Sequence, residues 1–189
     1  MQIGKTLYAA NRESWRLWLS TNHNKEKEIW LVYYRKSSGK PRIPYNDAVE
    51  EALCYGWIDS TIKSIDSEKF AQRFTPRNPR SKISEMNKER IRKLMRYGKM
   101  TSAGLSAVAR VFNPEKAAEQ FIIASDILKT LRVNEQAWQN FQNFPEGYQR
   151  VRVGYLESRR RHGKELFQKS LKYFIKMTEK NKRFGFVRD

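Results

Sequence analysis

The chain has 189 residues, 39% of them hydrophobic, and a formal net charge of +18 at pH 7. A chain of this length and apolar content can bury one core, or a core with a smaller satellite, so we expect a folded protein rather than a disordered one. It shows no apolar signal segment and no apolar run near the roughly 18 residues of a membrane span, which predicts a soluble, cytoplasmic protein.

The first predicted elements are a helix and a strand. Asn11 is a favourable helix cap. Trp15, Trp18 and Leu19 then recur at helical spacing, which predicts an amphipathic helix through Leu19. The run from residue 28 to residue 35 is mostly β-branched and aromatic, which is typical of a strand covered on both faces. We expect that strand to lie centrally in a sheet.

A second helix leads into a hairpin. Residues 47–54 are predicted to form a helix, with acids in its first turns and Gly56 just beyond its end. Residues 57–63 and 70–75 alternate with period two, which predicts two strands. A turn at residues 66–68 joins them.

The parity of this hairpin predicts a specific ion pair. Pairing Ser60 with Phe74 keeps the apolar side chains of both strands on one side. Thr61 then lies opposite Arg73, and Asp59 lies diagonally across from that arginine. We therefore expect an ion pair between Asp59 and Arg73.

The second half is predicted to contain only helices and loops. Helix starts are indicated by polar caps and by prolines. These starts are Ser84, Thr101, Asn113-Pro114, Ser125, Asn134 and the residues after Phe144-Pro145. We therefore predict an α+β fold, in which a small, mainly antiparallel sheet with packed helices is followed by a helical C-terminal region.

Positive charge is concentrated in two segments. Residues 63–99 hold 12 Lys and Arg against 4 Asp and Glu, a net charge of +8, and residues 150–189 hold 13 against 4, a net charge of +9. The first segment lies in an α+β domain predicted at residues 1–110. The second lies in a basic helical region predicted at residues 111–189, which either stands alone or packs on the first domain. This distribution favours an anionic partner.

A row of lysines is the clearest candidate surface for such a partner. Lys169, Lys172 and Lys176 recur at helical spacing, and Lys180 continues the row, so they project from one side of the last helix. Residues 72–80 interleave arginines with an aromatic ring, as single-strand binders do. The predicted nucleic-acid or polyanion contacts are Arg73, Arg77, Arg80, Arg159, Arg160, Lys169, Lys172, Lys176 and Lys180.

Simpler interpretations of the same charge stay open. A lysine row is often a solvated face that only keeps a protein soluble. In residues 72–80, Phe74 can pack in the core while Arg73 neutralises Asp59, which gives that segment a structural role. An acidic protein partner is a further alternative.

Catalytic groups are few in this sequence. Cys54, His23 and His162 are its only thiol and imidazole side chains. A helix C-terminus disfavours a thiolate at Cys54, and the two histidines lack the spacing of a zinc motif. A single cysteine also excludes an intrachain disulfide. We expect no catalytic residue, no metal and no cofactor.

One alternative site involves Trp57, Asp59 and Arg73. A ring can stack on the tryptophan while the acid and the cation bind a small polar substrate. This alternative predicts a small-ligand-binding protein or an enzyme.

An ordered set of residues resembles a known family. The set is Cys54-Tyr55-Gly56-Trp57-Ile58-Asp59-Ser60, Gln72-Arg73-Phe74-Thr75-Pro76-Arg77-Asn78-Pro79, then Ser81, Asn87 and Arg90, and Gly98-Lys99-Met100 with Ala103-Gly104-Leu105. It resembles the YdeI/OmpD-associated family, also called bacteriocin-protection proteins, over roughly the first 105 residues. The later residues 156–161 depart from the family pattern. The resemblance implies small, mostly bacterial cytoplasmic proteins linked to tolerance of bacteriocins, cationic antimicrobial peptides and envelope stress, without an established reaction.

Overall fold

The computed structural model describes residues 2–112 and 121–185, so the helix predicted to start at Asn113-Pro114 lies outside the described residues. The chain divides into two units. The first comprises Met1–Ile83 and Arg90–Pro114, and the second comprises Ser84–Glu89 and Glu115–Asp189. None of the described helices is both long and apolar enough to cross a membrane.

The elements follow the predicted α+β order. The strands are β1 Thr6–Tyr8, β2 Ile29–Tyr34, β3 Trp57–Ser64 and β4 Lys69–Pro76. The helices are α1 Arg12–Asn22, α2 Tyr45–Cys54, α3 Glu85–Arg96, α4 Ser102–Val108, α5 Ser125–Val133, α6 Glu135–Asn143, α7 Glu146–Arg160 and α8 Lys164–Glu179. The helical C-terminal region is therefore confirmed.

The first unit is built on a four-stranded sheet in the order β1-β2-β4-β3. The β1–β2 pair is parallel, and the β2–β4 and β4–β3 pairs are antiparallel, so the sheet is mixed but mainly antiparallel. Five of the six residues of β2 are buried, which confirms a strand covered on both faces and central in the sheet. The short edge strand β1 was not predicted, because three residues are too few to show an alternating pattern.

A buried carboxylate joins α1 to α2. Glu51 on α2 is 1% exposed, and it accepts hydrogen bonds from Arg12 and Arg16 on α1. Both oxygens of the carboxylate are therefore paired, and the charge is compensated where it is buried. Asn11 caps α1 as predicted, since its side chain accepts from the backbone N–H of Ser14.

The turn between α2 and β3 fits tightly against α4. The Cys54 carbonyl oxygen accepts from the backbone N–H of Thr101 at 3.1 Å and from its hydroxyl at 2.6 Å. Gly56 has a φ of +75°, a conformation that side chains other than glycine's rarely adopt. Gly104 on α4 lies so close that an added Cβ would be 2.8 Å from the Leu53 carbonyl oxygen. The turn therefore depends on two glycines.

The expected ion pair between Asp59 and Arg73 is wrong. Asp59 pairs with Phe74 across the hairpin, and a β-bulge lies between Asp59 and Ile62. This register differs by one residue from the expected one, so the alternating pleat places Arg73 on the opposite face of the sheet. There Arg73 forms an ion pair with Glu28 at 2.6 Å.

The second unit buries one core between α5, α6, α7 and α8. Its members are Ile127, Leu131, Ala137, Phe141, Phe144, Tyr148, Val153, Leu156, Phe167, Leu171 and Phe174. Asn134 caps α6 as predicted, because its side chain accepts from the backbone N–H of Ala137. The chain breaks between α6 and α7 at Phe144-Pro145, also as predicted.

Gly104→Ala tests the close approach of α4 to the turn. The added methyl group would meet the carbonyl oxygens of Cys54 and Leu53, and backbone atoms cannot rotate away as a side chain can. We expect a loss of about 2 kcal/mol in the free energy of unfolding, although alanine is the better helix former. Urea denaturation measures this change.

Ser106→Ala is the matched control for that substitution. Ser106 is an exposed residue of the same helix, so its replacement should leave the free energy of unfolding unchanged or slightly raised. Equal stability of Gly104→Ala and Ser106→Ala would show that the turn does not require the close approach.

Candidate functional site

Helix α8 presents a row of lysines on its exposed face, as predicted. Lys169, Lys172 and Lys176 lie on α8, and Lys180 is the residue that ends it. All four are exposed. The opposite face of the helix buries Phe167, Leu171, Phe174 and Thr178. Packing in the core therefore fixes the orientation of the lysines; we call these four residues the lysine row.

The charges of the lysine row are not compensated within the described residues. None of the four ammonium groups forms an ion pair or a hydrogen bond with residues 2–112 or 121–185. Lys176 lies in the last turn of α8 and Lys180 caps it, where the helix dipole favours cations. The row is thus a solvated positive strip about three helical turns long.

Tyr173 lies among these lysines and was missed in the sequence. Its side chain is 51% exposed, and its ring edge packs against Phe184 with centroids 5.1 Å apart. Tyr173 follows Lys169 by four residues and precedes Lys176 by three, the same spacing that revealed the row. An exposed ring beside ammonium groups can stack on a nucleobase while lysines hold the backbone.

The two predicted arginines of α7 have different surroundings. Arg160 forms ion pairs with Asp126 at 2.6 Å and with Glu157 at 2.9 Å, and its guanidinium lies 3.9 Å from the centroid of the Phe167 ring. The Arg160 hydrogen bond holds the pKa of Asp126 below its usual value. Arg159 instead lies over the Tyr155 ring and donates to its hydroxyl at 2.8 Å. Arg160 is therefore neutralised internally, and Arg159 is not.

The predicted arginines of the first unit are mostly engaged in the fold. Arg73 is paired with Glu28, and Arg77 is 8% exposed and donates to the carbonyl oxygens of Ser81 and Lys82 at 2.7 and 2.9 Å. Burial lowers the pKa of Arg77. Arg80 is exposed, and its side chain has no polar partner among the described residues.

The structure does not bring Trp57, Asp59 and Arg73 together. Trp57 is 1% exposed, and its indole N–H donates to the His23 carbonyl oxygen at 3.0 Å. Arg73 lies on the other face of the sheet. Asp59 alone keeps a polar environment, because its Oδ2 atom accepts from Tyr45 at 2.9 Å and from Gln72 at 2.8 Å.

A second tyrosine lies near Asp59. The Tyr33 side chain is buried, and its hydroxyl has no hydrogen-bond partner among the described residues. Burial, and then the charges of Tyr45 and Asp59, raise the pKa of Tyr33. Tyr33, Tyr45, Asp59 and Gln72 come from three strands and a helix, so sequence spacing could not reveal this polar cluster.

The thiol and imidazole groups show no catalytic arrangement. Cys54 is buried, which raises the pKa of its thiol to about 11 and so disfavours the thiolate. The ring Nδ1 of His23 is 2.9 Å from the Leu19 carbonyl oxygen, and His162 is exposed. Among residues 2–112 and 121–185, no group of three or more acidic, histidine or cysteine residues could hold a metal ion.

Two family models match different parts of the chain. Residues 7–107 match the family model described as a domain of unknown function, DUF8412. Residues 120–181 match the model described as bacteriocin-protection, YdeI or OmpD-associated. No curated protein and no solved structure matches the chain. The resemblance to the YdeI/OmpD-associated family is confirmed. The match, however, lies over the C-terminal helices and not over the first 105 residues, where the sequence pattern was found.

Asp59→Asn tests the contact between Asp59 and Tyr45. Burial first, and then the charge and hydrogen bond of Asp59, raise the pKa of Tyr45 to about 12. Removal of the negative charge should therefore lower that pKa towards 10, because the tyrosinate no longer faces a carboxylate. Ultraviolet titration of Asp59→Asn, with Asp59→Asn/Tyr45→Phe as the control that identifies the band, measures the change. An unaltered titration would contradict the contact.

Proposed function

We propose that this chain binds nucleic acid through α8. The chain belongs to the family described as domain of unknown function DUF8412. Its residues 120–181 match the family described as bacteriocin-protection, YdeI or OmpD-associated. The observation that carries the proposal is the lysine row, whose positive charges have no internal partner among the described residues. Binding of a polyanion to such a strip releases condensed counterions, which favours association at low salt.

Tyr173 favours a single strand as the ligand. Base pairs in a duplex hide the faces of their rings, whereas an unpaired base can stack on an exposed tyrosine. The side chain of Tyr173 is half exposed and lies between Lys169 and Lys176 along the helix. The proposed contacts are therefore phosphates at the lysine row and one base at Tyr173.

The proposal describes a binding protein rather than an enzyme. Its setting would be the cytoplasm, where nucleic acid is abundant and a lone thiol such as Cys54 remains reduced. The name of the family that matches residues 120–181 adds a role in bacteriocin protection to the proposal. A protein with a net charge of +18 repels cationic peptides, so direct capture of such peptides is disfavoured.

Replacement of two lysines tests the proposed surface. Affinity of the protein for a short single-stranded oligonucleotide should fall steeply between about 50 and 200 mM salt. In Lys172→Gln/Lys176→Gln, two phosphate contacts are lost, so the slope of log K against log salt should become shallower by about 1.4. Fluorescence anisotropy measures both slopes.

Lys25→Gln/Lys27→Gln is the matched control for the same loss of charge. Both residues are exposed in the loop between α1 and β2 of the first unit. The control should bind with the wild-type salt slope. Equal slopes in all three proteins would remove the lysine row from the proposal, and preferential binding of polyglutamate over the oligonucleotide would favour an acidic protein partner instead.

The polar cluster around Asp59 favours a second candidate function, the binding of a small polar ligand. Its basis is the buried Tyr33 hydroxyl, which is an unsatisfied donor close to a carboxylate. A ligand that accepts from this hydroxyl would relieve the cost of burying it. Of the three residues of the alternative site, Trp57, Asp59 and Arg73, this candidate retains only Asp59, now together with Tyr33, Tyr45 and Gln72.

Tyr33→Phe tests this second candidate. Without a ligand, the substitution removes an unsatisfied hydroxyl and should leave the melting temperature unchanged or raised. In a thermal-shift screen of amino acids and nucleosides, a compound that raises the wild-type melting temperature should have a smaller effect on Tyr33→Phe and on Asp59→Asn. If no compound raises it, or if both variants respond like the wild type, the candidate is wrong.

A further inference from the structure

Arg152 is a buried cation without a polar partner. It lies on α7 and is 6% exposed. Its Nε atom has no hydrogen-bond partner, and neither a hydrogen bond nor an ion pair joins any of its nitrogens to the described residues. A guanidinium carries five N–H donors, and arginine is rarely buried unless it is paired.

Three aromatic rings surround this guanidinium. Its central carbon lies 4.7 Å from the ring centroid of Phe184, 5.2 Å from that of Tyr155 and 5.9 Å from that of Tyr148. Gly185 covers both terminal nitrogens so closely that an added Cβ would lie 3.1 Å from each. We call Arg152 and these three rings the aromatic cage.

The rings compensate only part of the cost of burying the charge. A cation over an aromatic ring gains about 0.5 to 2 kcal/mol, but the rings accept no in-plane hydrogen bonds from a guanidinium. Burial of an unpaired charged group costs more than that, and truly unpaired buried donors are rare. Burial accordingly lowers the pKa of Arg152. The cage therefore lacks an acceptor.

The surroundings of the cage are positive. Arg159 lies 4.9 Å from the ring centroid of Tyr155. Burial raises the pKa of Tyr148, and a hydrogen bond from Phe184 and the positive charge of Arg152 act against that rise. The guanidinium groups of Arg152 and Arg159 thus both lie over the Tyr155 ring. This arrangement favours a ligand with two negative charges over one with a single charge.

We infer that Arg152 is an anion-binding residue whose ligand is a phosphomonoester. The planar fork of its guanidinium matches two phosphate oxygens, and a phosphomonoester carries a charge near −2 at neutral pH. The aromatic cage is separate in its residues from the lysine row, so this site goes beyond the proposed polymer surface. Its ligand is either a free phosphomonoester or the phosphorylated end of a strand.

The segment after α8 covers much of the cage. Residues 182–185 have no regular secondary structure, and Gly185 has a φ of +88°. The backbone N–H of Lys182 donates to the Met177 carbonyl oxygen at 2.9 Å, and that of Phe184 donates to the Tyr148 hydroxyl at 3.2 Å. The Phe184 ring also packs against that of Tyr173. Rotation of Phe184 would expose the terminal nitrogens of Arg152 to a phosphate.

Arg152→Met tests the inference because it should not lower the melting temperature in the absence of phosphate but should abolish the rise that phosphate causes. In phosphate-free buffer, removal of an unpaired buried charge should leave the melting temperature unchanged or raised. Inorganic phosphate, compared with chloride at equal ionic strength, should raise the melting temperature of the wild type but not that of Arg152→Met. In calorimetric titration, the affinity for phosphate should fall at least about tenfold.

Two further variants serve as controls. Arg160→Met removes an arginine of the same helix that is already paired with Asp126, so its phosphate response should persist. Lys172→Gln/Lys176→Gln should also retain the response, which separates this inference from the polymer surface. If Arg152→Met does not fold, Phe184→Ala provides the test, since opening the cage should preserve or strengthen phosphate binding measured by calorimetry.

Oligonucleotides with and without a 5′-phosphate identify the source of the ligand. Tighter binding of the phosphorylated strand, lost in Arg152→Met, assigns the cage to strand ends. Equal binding of the two strands, with a retained response to inorganic phosphate, assigns it to free phosphomonoesters. Absence of a phosphate response in the wild type, or an equal response in Arg152→Met, would overturn the inference and leave Arg152 a packing residue.

Discussion

The first unit depends on the close fit of the turn between α2 and β3. One carbonyl oxygen, that of Cys54, holds the start of α4 through two hydrogen bonds from Thr101. Two residues further along, the carbonyl oxygen of Gly56 accepts from the backbone N–H of Arg77 at 2.8 Å. This hydrogen bond joins the end of β4 to the start of β3. Because Gly104 allows this approach, helix, hairpin and following chain meet at a single point. The ordered residues of the family pattern in this part of the chain are thus explained mainly by packing.

Charge in this protein has two different roles. The buried carboxylate of the first unit is compensated, since Glu51 pairs with Arg12 and Arg16. On the exposed face of α8 it has no partner among the described residues. Surface ion pairs contribute little to stability, whereas a buried carboxylate without a partner is costly. The compensated charges therefore serve the fold, and the uncompensated lysine row is available to a polyanion.

Local chemistry made part of the structure predictable. The caps at Asn11, Thr101 and Asn134 and the apolar run of β2 act within a few residues of each other, and all were predicted correctly. The lysine row was predictable for the same reason, because helical spacing alone sets its direction. The hairpin register was not, since the bulge after Asp59 depends on pairing across the sheet. The aromatic cage could not be predicted either, because Phe184 and Arg152 are far apart in the sequence and only the fold brings them together.

Lysine acetylation followed by mass spectrometry shows directly whether a bound strand covers the lysine row. We expect a bound single-stranded oligonucleotide to protect Lys169, Lys172, Lys176 and Lys180 from the reagent, because phosphates cover their ammonium groups. Lys25 and Lys27, which are also exposed, should be acetylated equally with and without the strand. Protection spread evenly over all exposed lysines, or absent from α8, would contradict a dedicated surface on that helix.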